Sequence, residues 1–114
     1  MPPRDTQRLE HVLDYCEDIS DMLSTISFSK EAFFRNKQIQ YSIAFSILQI
    51  GELVGRLSDE LRERTKQEID WRAIKGMRNI IVHDYGEIRL QVVWDVATCD
   101  IPELKAFCLR QLEP

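Results

Sequence analysis

Arg78, Asn79, His83 and Tyr85 lie within eight consecutive residues, Arg78-Asn79-Ile80-Ile81-Val82-His83-Asp84-Tyr85. An arginine can grip a phosphate with paired N–H groups and stabilise negative charge as it develops. A histidine can move a proton near neutral pH. An amide can orient the ring or share a phosphate oxygen. Together these groups meet the requirements for metal-free cleavage of an RNA backbone. The structural alternatives are an arginine stem lying over an apolar border, a histidine capping the last carbonyls of a helix, and a tyrosine packed over a turn.

Spacing alone constrains how the groups can meet. At about 100° per residue, a helix starting at Trp71 gathers Ala73, Ile74, Met77, Ile80 and Ile81 on one core-facing side. Arg72, Gly76, Asn79 and His83 fall on the opposite side. Asn79 and His83 are neighbours four residues apart. Arg78 stands roughly 140° from His83 on an ideal wheel, at the border of the apolar face. Convergence of the two requires the helix to end near His83, where Gly86 can follow the end, or the arginine stem to wrap round. Tyr85 is expected in a turn and exposed.

The chain holds two histidines, His11 and His83. In-line attack by a ribose 2′-hydroxyl needs one group to accept a proton and another to donate one. One His83 per chain does not readily fill both roles. A symmetric dimer apposing two such helices would supply two histidines and two arginines. His11 is expected at the surface.

The remaining sequence must position this segment. At 114 residues, with 44% hydrophobic and 30% charged residues, the chain is expected to form one domain, residues 1–114. Four glycines and four prolines are few, which points to an all-α chain. Leu9, Val12, Leu13, Cys16, Ile19, Leu23 and Ile26 form one stripe, with Asp5 or Thr6 as the expected cap. Ser29 is expected to cap a short helix through Phe34. Asn36 should cap another over about residues 37–57, with Ile39, Ile43, Ile47, Ile50, Leu53, Val54 and Leu57 facing the core. Tyr41, Phe45 and Leu48 make a second face of that helix partly apolar, as in a central or partner-facing helix. Gly51 and Gly55 read as a close helix contact, or alternatively as a ligand or partner face. Ser58 starts a further helix, and Thr65–Ile69 reads as a connection before Asp70 caps the motif helix. The last helix is expected from near Ile88, kinked or restarted at Pro102.

The net charge of −4 argues mildly against a general nucleic-acid coat. A local basic patch remains available in Arg72, Lys75 and Arg78, joined by Arg35 and Lys37. Cys16, Cys99 and Cys108 have no metal-binding spacing, which argues against a zinc site, and they read as buried small hydrophobes in a reduced cytoplasm. Neither a signal-peptide pattern nor a membrane-length apolar run is present, so no membrane association is expected.

Arg78, four residues, His83, one residue, Tyr85 resembles the Arg-x4-His-x-Tyr motif of the HepT-like toxins, a branch of the HEPN superfamily. Asn79 after the arginine fits the same pattern. The similarity extends to Ile50-Gly51-Glu52, Trp71-Arg72-Ala73-Ile74-Lys75-Gly76-Met77, Val93-Trp94-Asp95 and Ile101-Pro102-Glu103-Leu104. The resemblance implies an antiparallel bundle of about five helices that forms a homodimer. It implies a metal-independent, cofactor-free endoribonuclease with a composite site at the dimer interface, acting as the toxin of a type VII-like toxin–antitoxin system. Arg78 and His83 would be catalytic, Asn79 supporting, and Arg72 and Lys75 RNA-binding. A partner resembling the minimal nucleotidyltransferase MntA would transfer AMP to Tyr85. The alternative is a non-enzymatic helical module that binds, or is modified by, such a partner.

Overall fold

The computed structural model describes the backbone of residues 1–81 and 89–114, and the side chains of residues 1–78 and 89–114. The described chain is all-α. Its segments are α1 (Pro3–Thr25), α2 (Lys30–Arg35), α3 (Lys37–Gly55), α4 (Asp59–Thr65), α5 (Trp71–Ile81), α6 (Leu90–Asp95) and α7 (Ile101–Leu112). A π-helical turn, Val96–Asp100, joins the last two into one rod. This is more segmented than the expected five helices, because α2 and α4 are short pieces between the long ones. No described helix is long and apolar enough to cross a membrane.

Local chemistry sets most boundaries. The Ser29 hydroxyl accepts from Ala32 N at 3.2 Å, starting α2. The Asn36 amide oxygen accepts from Ile39 N at 3.0 Å, starting α3. Ser58 caps α4 through Leu61 N at 3.1 Å. Each supplies an acceptor to a first-turn N–H that has no helical partner.

Two expectations are corrected, the cap of α1 and the end of α3. Helix α1 begins at Pro3, without a side-chain cap, because proline's fixed φ suits the first helical position. Asp5, expected as its cap, is instead 1% exposed. Its carboxylate accepts from Ser58 N at 2.9 Å and from the Ser58 hydroxyl, tying the start of α1 to the start of α4. Helix α3 ends at Gly55 rather than near residue 57, although Leu57 still packs in the core. The last rod restarts at Pro102 as expected, with α7 beginning at Ile101 and the proline in its first turn. Proline lacks an N–H and its ring crowds the carbonyl four residues back. The π turn just before it accommodates both, and Ile101 N bonds to Val96 O, five residues back.

Helix α3 packs against α1 on one flank and α5 on the other, while α7 packs on α1. Arg8 of α1 donates to Arg56 O just past the end of α3, so α1 and α3 are antiparallel. Leu9, Val12, Cys16, Ile19 and Leu23 of α1 meet Ile43, Ile47, Ile50 and Val54 of α3 and Leu104, Phe107 and Cys108 of α7 in one core. Tyr41 and Phe45 stay 57% and 56% exposed, so the second face of α3 has no cover within the described chain. His11 is exposed, as expected. Cys16 and Cys108 are buried, but Cys99 is exposed because the π turn carries it outward.

Candidate functional site

Helix α5 carries the motif arginine, and its rotation is set at its start. The Asp70 carboxylate accepts from Ala73 N at 3.1 Å. Trp71 is buried, and its indole N–H donates to Thr65 Oγ1 at 2.8 Å. The Thr65 hydroxyl in turn donates to Leu61 O at 2.7 Å, so both buried polar groups are satisfied. The Trp71 ring meets Phe107 edge-on, with centroids 5.2 Å apart. Ile74 and Met77 follow into the core. Ala73, expected on the core side, is exposed. The buried stripe runs Trp71, Ile74, Met77, and Ala73 stands about 100° off Ile74.

This rotation leaves Arg72 and Lys75 exposed and Arg78 half-buried. The two α3 glycines explain how Arg78 lies. A Cβ added at Gly51 would stand 3.4 Å from Arg78 Cβ and 3.7 Å from the Lys75 carbonyl oxygen. A Cβ at Gly55 would stand 3.7 Å from Lys75 Cε. The glycine face is therefore taken up by α5, with its two basic stems laid across it, in agreement with the close-contact reading. Residue 51 facing 78 and residue 55 facing 75 also show that α3 and α5 are antiparallel.

The Arg78 guanidinium donates through Nη1 to Glu52 Oε1. Sequence reasoning quoted Glu52 within Ile50-Gly51-Glu52 but gave it no role. Its signal was position: a carboxylate next to the glycine that lets the arginine approach. The side chains are 41% and 47% exposed, so the pair gains little stability and exchanges readily with solvent or another anion. A guanidinium has five N–H groups, and a carboxylate held through one leaves others for a phosphate.

Arg72 and Lys75 lie towards the Gly55 end of α3, whereas Arg35 and Lys37 flank its start. About 14 residues of helix separate Lys37 from Gly51, or roughly 20 Å at 1.5 Å per residue. Within one chain these cations do not form the single patch expected from sequence. Asn79 lies in α5, but its side chain falls outside the described set. His83 and Tyr85 lie outside the described residues, as do the expected helix end near His83 and the Gly86 turn.

The profile of the HepT-like family, described as "Ribonuclease HepT-like", matches residues 12–110. The chain belongs to this family, a branch of the HEPN ribonucleases. It is 33% identical over 97 residues to a protein carrying an RNase name, TTE0752, from Caldanaerobacter subterraneus subsp. tengcongensis, covering 85% of this chain and 84% of that one. It is 32% identical over 106 residues to MJ1216 of Methanocaldococcus jannaschii, which also carries an RNase name, covering 92% and 85% of the two chains. It is 30% identical over 96 residues to the "Probable ribonuclease HepT" of Thermococcus cleftensis, covering 81% and 87%. No solved structure matches the chain significantly.

Proposed function

We propose that this chain is a metal-independent endoribonuclease whose site is completed by a second copy of itself. The observation that carries the reading is the setting of Arg78: a guanidinium at a helix–helix groove, approached over Gly51 and held, among the described residues, by the half-exposed Glu52 alone. In a chain of the HepT-like family, that is the arginine of the Arg-x4-His motif. In the reaction the ribose 2′-hydroxyl attacks the adjacent phosphorus and the 5′-oxygen of the next nucleotide leaves. One His83 accepts the hydroxyl proton, and the His83 of the second copy donates one to the leaving oxygen. Arg78 neutralises the charge gathering on the phosphorane, and Asn79 orients the ring or the phosphate. The products are a 2′,3′-cyclic phosphate and a 5′-hydroxyl. Arg72 and Lys75 would hold neighbouring phosphates.

The test is RNA cleavage in excess EDTA by wild type, His83→Ala and Arg78→Ala. Each variant should lose most cleavage with an unchanged melting temperature. Losing a donor that stabilises developing charge costs about 3–4 kcal/mol of barrier. Equal cleavage by His83→Ala would end the assignment. Light scattering that finds only monomer at micromolar concentration would remove the composite site.

The same reading makes the chain the toxin of a toxin–antitoxin pair, controlled at Tyr85 by a minimal nucleotidyltransferase. AMP on that phenol would bring a negative charge to Arg78 and repel RNA. Tyr85→Phe should keep cleavage and escape silencing. Mass spectrometry after co-expression should place the added AMP on Tyr85, and AMP mapping to another residue would refute this control. The exposed Tyr41–Phe45 face supports a second reading, a helical interaction module that pairs with such a partner without cutting RNA. Cleavage by wild type that is absent in His83→Ala excludes it.

A further inference from the structure

A cavity of about 300 Å³ lies between α1 and α7, away from the α3–α5 groove that holds Arg78. Its walls are mostly apolar, with Leu23, Ala97, Ile101 and Leu109 among them, and among the described residues Lys105 is the one cation that lines it. Its size falls within the range of small-molecule sites, which combine apolar walls with a few placed polar groups.

Two backbone irregularities meet at this cavity. The first is the end of α1. Ser27 N bonds to Ser24 O at 3.0 Å and Phe28 N to Leu23 O at 2.9 Å, the paired bonds of a Schellman turn. Such a turn favours glycine at its left-handed position. Here Ser27 and Phe28 both adopt positive φ, 55° and 53°. Bulky residues rarely sit there, and such strain concentrates at ligand clamps and switch sites. In this turn the residue in the place of Phe28 usually closes onto the one in the place of Leu23. Phe28 lines the cavity but remains 55% exposed, standing at its mouth. The second irregularity is the π turn, whose Ala97 and Thr98 form the opposite wall. Single π turns recur at functional sites because they redirect side chains without ending a helix.

Lys105 has no carboxylate within ion-pair distance among the described residues. A cation left free at the edge of an apolar cavity is complementary to an anionic head on an apolar body. We propose that the α1–α7 cavity binds a free monomeric amphiphilic anion, a medium-chain or aryl carboxylate, with its tail between Leu23, Phe28 and Ile101 and its carboxylate on Lys105. The half-enclosed volume suits a single short chain rather than a diacyl lipid. The proposal is independent of the ribonuclease reading.

The full chain should be titrated with the fluorescent apolar anion 8-anilinonaphthalene-1-sulfonate. Decanoate, decanol, decyltrimethylammonium and phosphatidylglycerol vesicles should then be tested as competitors. The expected result is saturable binding of one probe per chain, displaced by decanoate at least ten-fold more effectively than by decanol or the ammonium. Lys105→Glu should weaken decanoate binding about ten-fold or more. Ala106→Trp, at an exposed lining position, should block the probe by filling the mouth, and circular dichroism should show both variants folded. Non-saturable binding would overturn the proposal. So would equal competition by decanol, binding unchanged in Lys105→Glu, or loss of the site on self-association. Tight binding to vesicles without decanoate binding would assign the cavity to a membrane surface and overturn the free-ligand reading.

Discussion

Arg78 reaches Glu52 across Gly51, where an added Cβ would stand only 3.4 Å from Arg78 Cβ, so a residue on α5 and a carboxylate on α3 meet where the two helices lie close together. A glycine costs about 1 kcal/mol in a helix interior, and here it admits the arginine stem to the groove. The partner is a monodentate, half-exposed carboxylate, so the guanidinium is held in place yet available.

Glu52→Gln removes the charge that competes for Arg78. We expect RNA to bind a few-fold tighter, with a folding stability within about 1 kcal/mol of wild type, since exposed ion pairs contribute little. Electrophoretic mobility shift at low salt, using His83→Ala to prevent turnover, measures it. Weaker RNA binding in Glu52→Gln would mean that Glu52 positions the arginine rather than competing for it.

The two glycines should respond differently to substitution. Gly55→Ala meets only the flexible end of Lys75 and should stabilise the chain by about 0.5–1 kcal/mol. Gly51→Ala gains the same helix propensity but presses on the Arg78 stem, so a net change near zero is expected. Gly51→Leu should dislodge Arg78 and remove cleavage with modest loss of stability. Urea unfolding and cleavage assays on the same samples separate these effects.

Asp5 should matter far more to stability than its place near the N-terminus suggests. Asp5→Ala leaves the part-buried Ser58 N–H and hydroxyl short of their acceptor. A loss of about 2–3 kcal/mol in urea unfolding is expected, typical of orphaned partners of a charged group. A loss below 0.5 kcal/mol would show that the contact is not formed in solution.

The thiols should divide into one reactive and two silent. Burial is the main cause raising both buried thiols, with Cys108 pushed up to about 12 and Cys16 higher still. Only exposed Cys99 should react quickly with a disulfide reagent at pH 8, and Cys99→Ser should abolish that phase. Both thiols titrate in the folded chain above the ordinary thiol value of 9.0, so the folded chain keeps protons that the unfolded chain loses. Their contribution is complete below pH 9 and is lost as pH rises above it. Between pH 9 and 11 the unfolding free energy from urea titrations should fall more steeply for wild type than for Cys16→Ala/Cys108→Ala, by up to about 1 kcal/mol per pH unit per thiol.

Much of this architecture could be read along the chain because it is local. A serine, asparagine or aspartate before an apolar stripe satisfies orphan N–H groups within three residues, so Ser29, Asn36, Ser58 and Asp70 were identifiable as caps. Apolar spacing likewise marked the core faces of α1 and α3. The Arg78–Asn79–His83–Tyr85 cluster was recognisable because residue type and spacing alone define it. What sequence could not decide depends on partners distant along the chain. Asp5 looked like a cap for its own helix, yet it serves Ser58, 53 residues away. Ala73 looked like core, but the rotation of α5 is set by the bond from Trp71 to Thr65 and by Phe107. Arg35 and Lys37 looked like companions of Arg72 and Lys75, until the antiparallel course of α3 and α5 placed the two pairs at opposite ends of α3. Glu52 gained its meaning only when α3 and α5 packed across Gly51. Periodicity specifies which face of a helix is apolar, and only packing selects the side chains that meet across the groove.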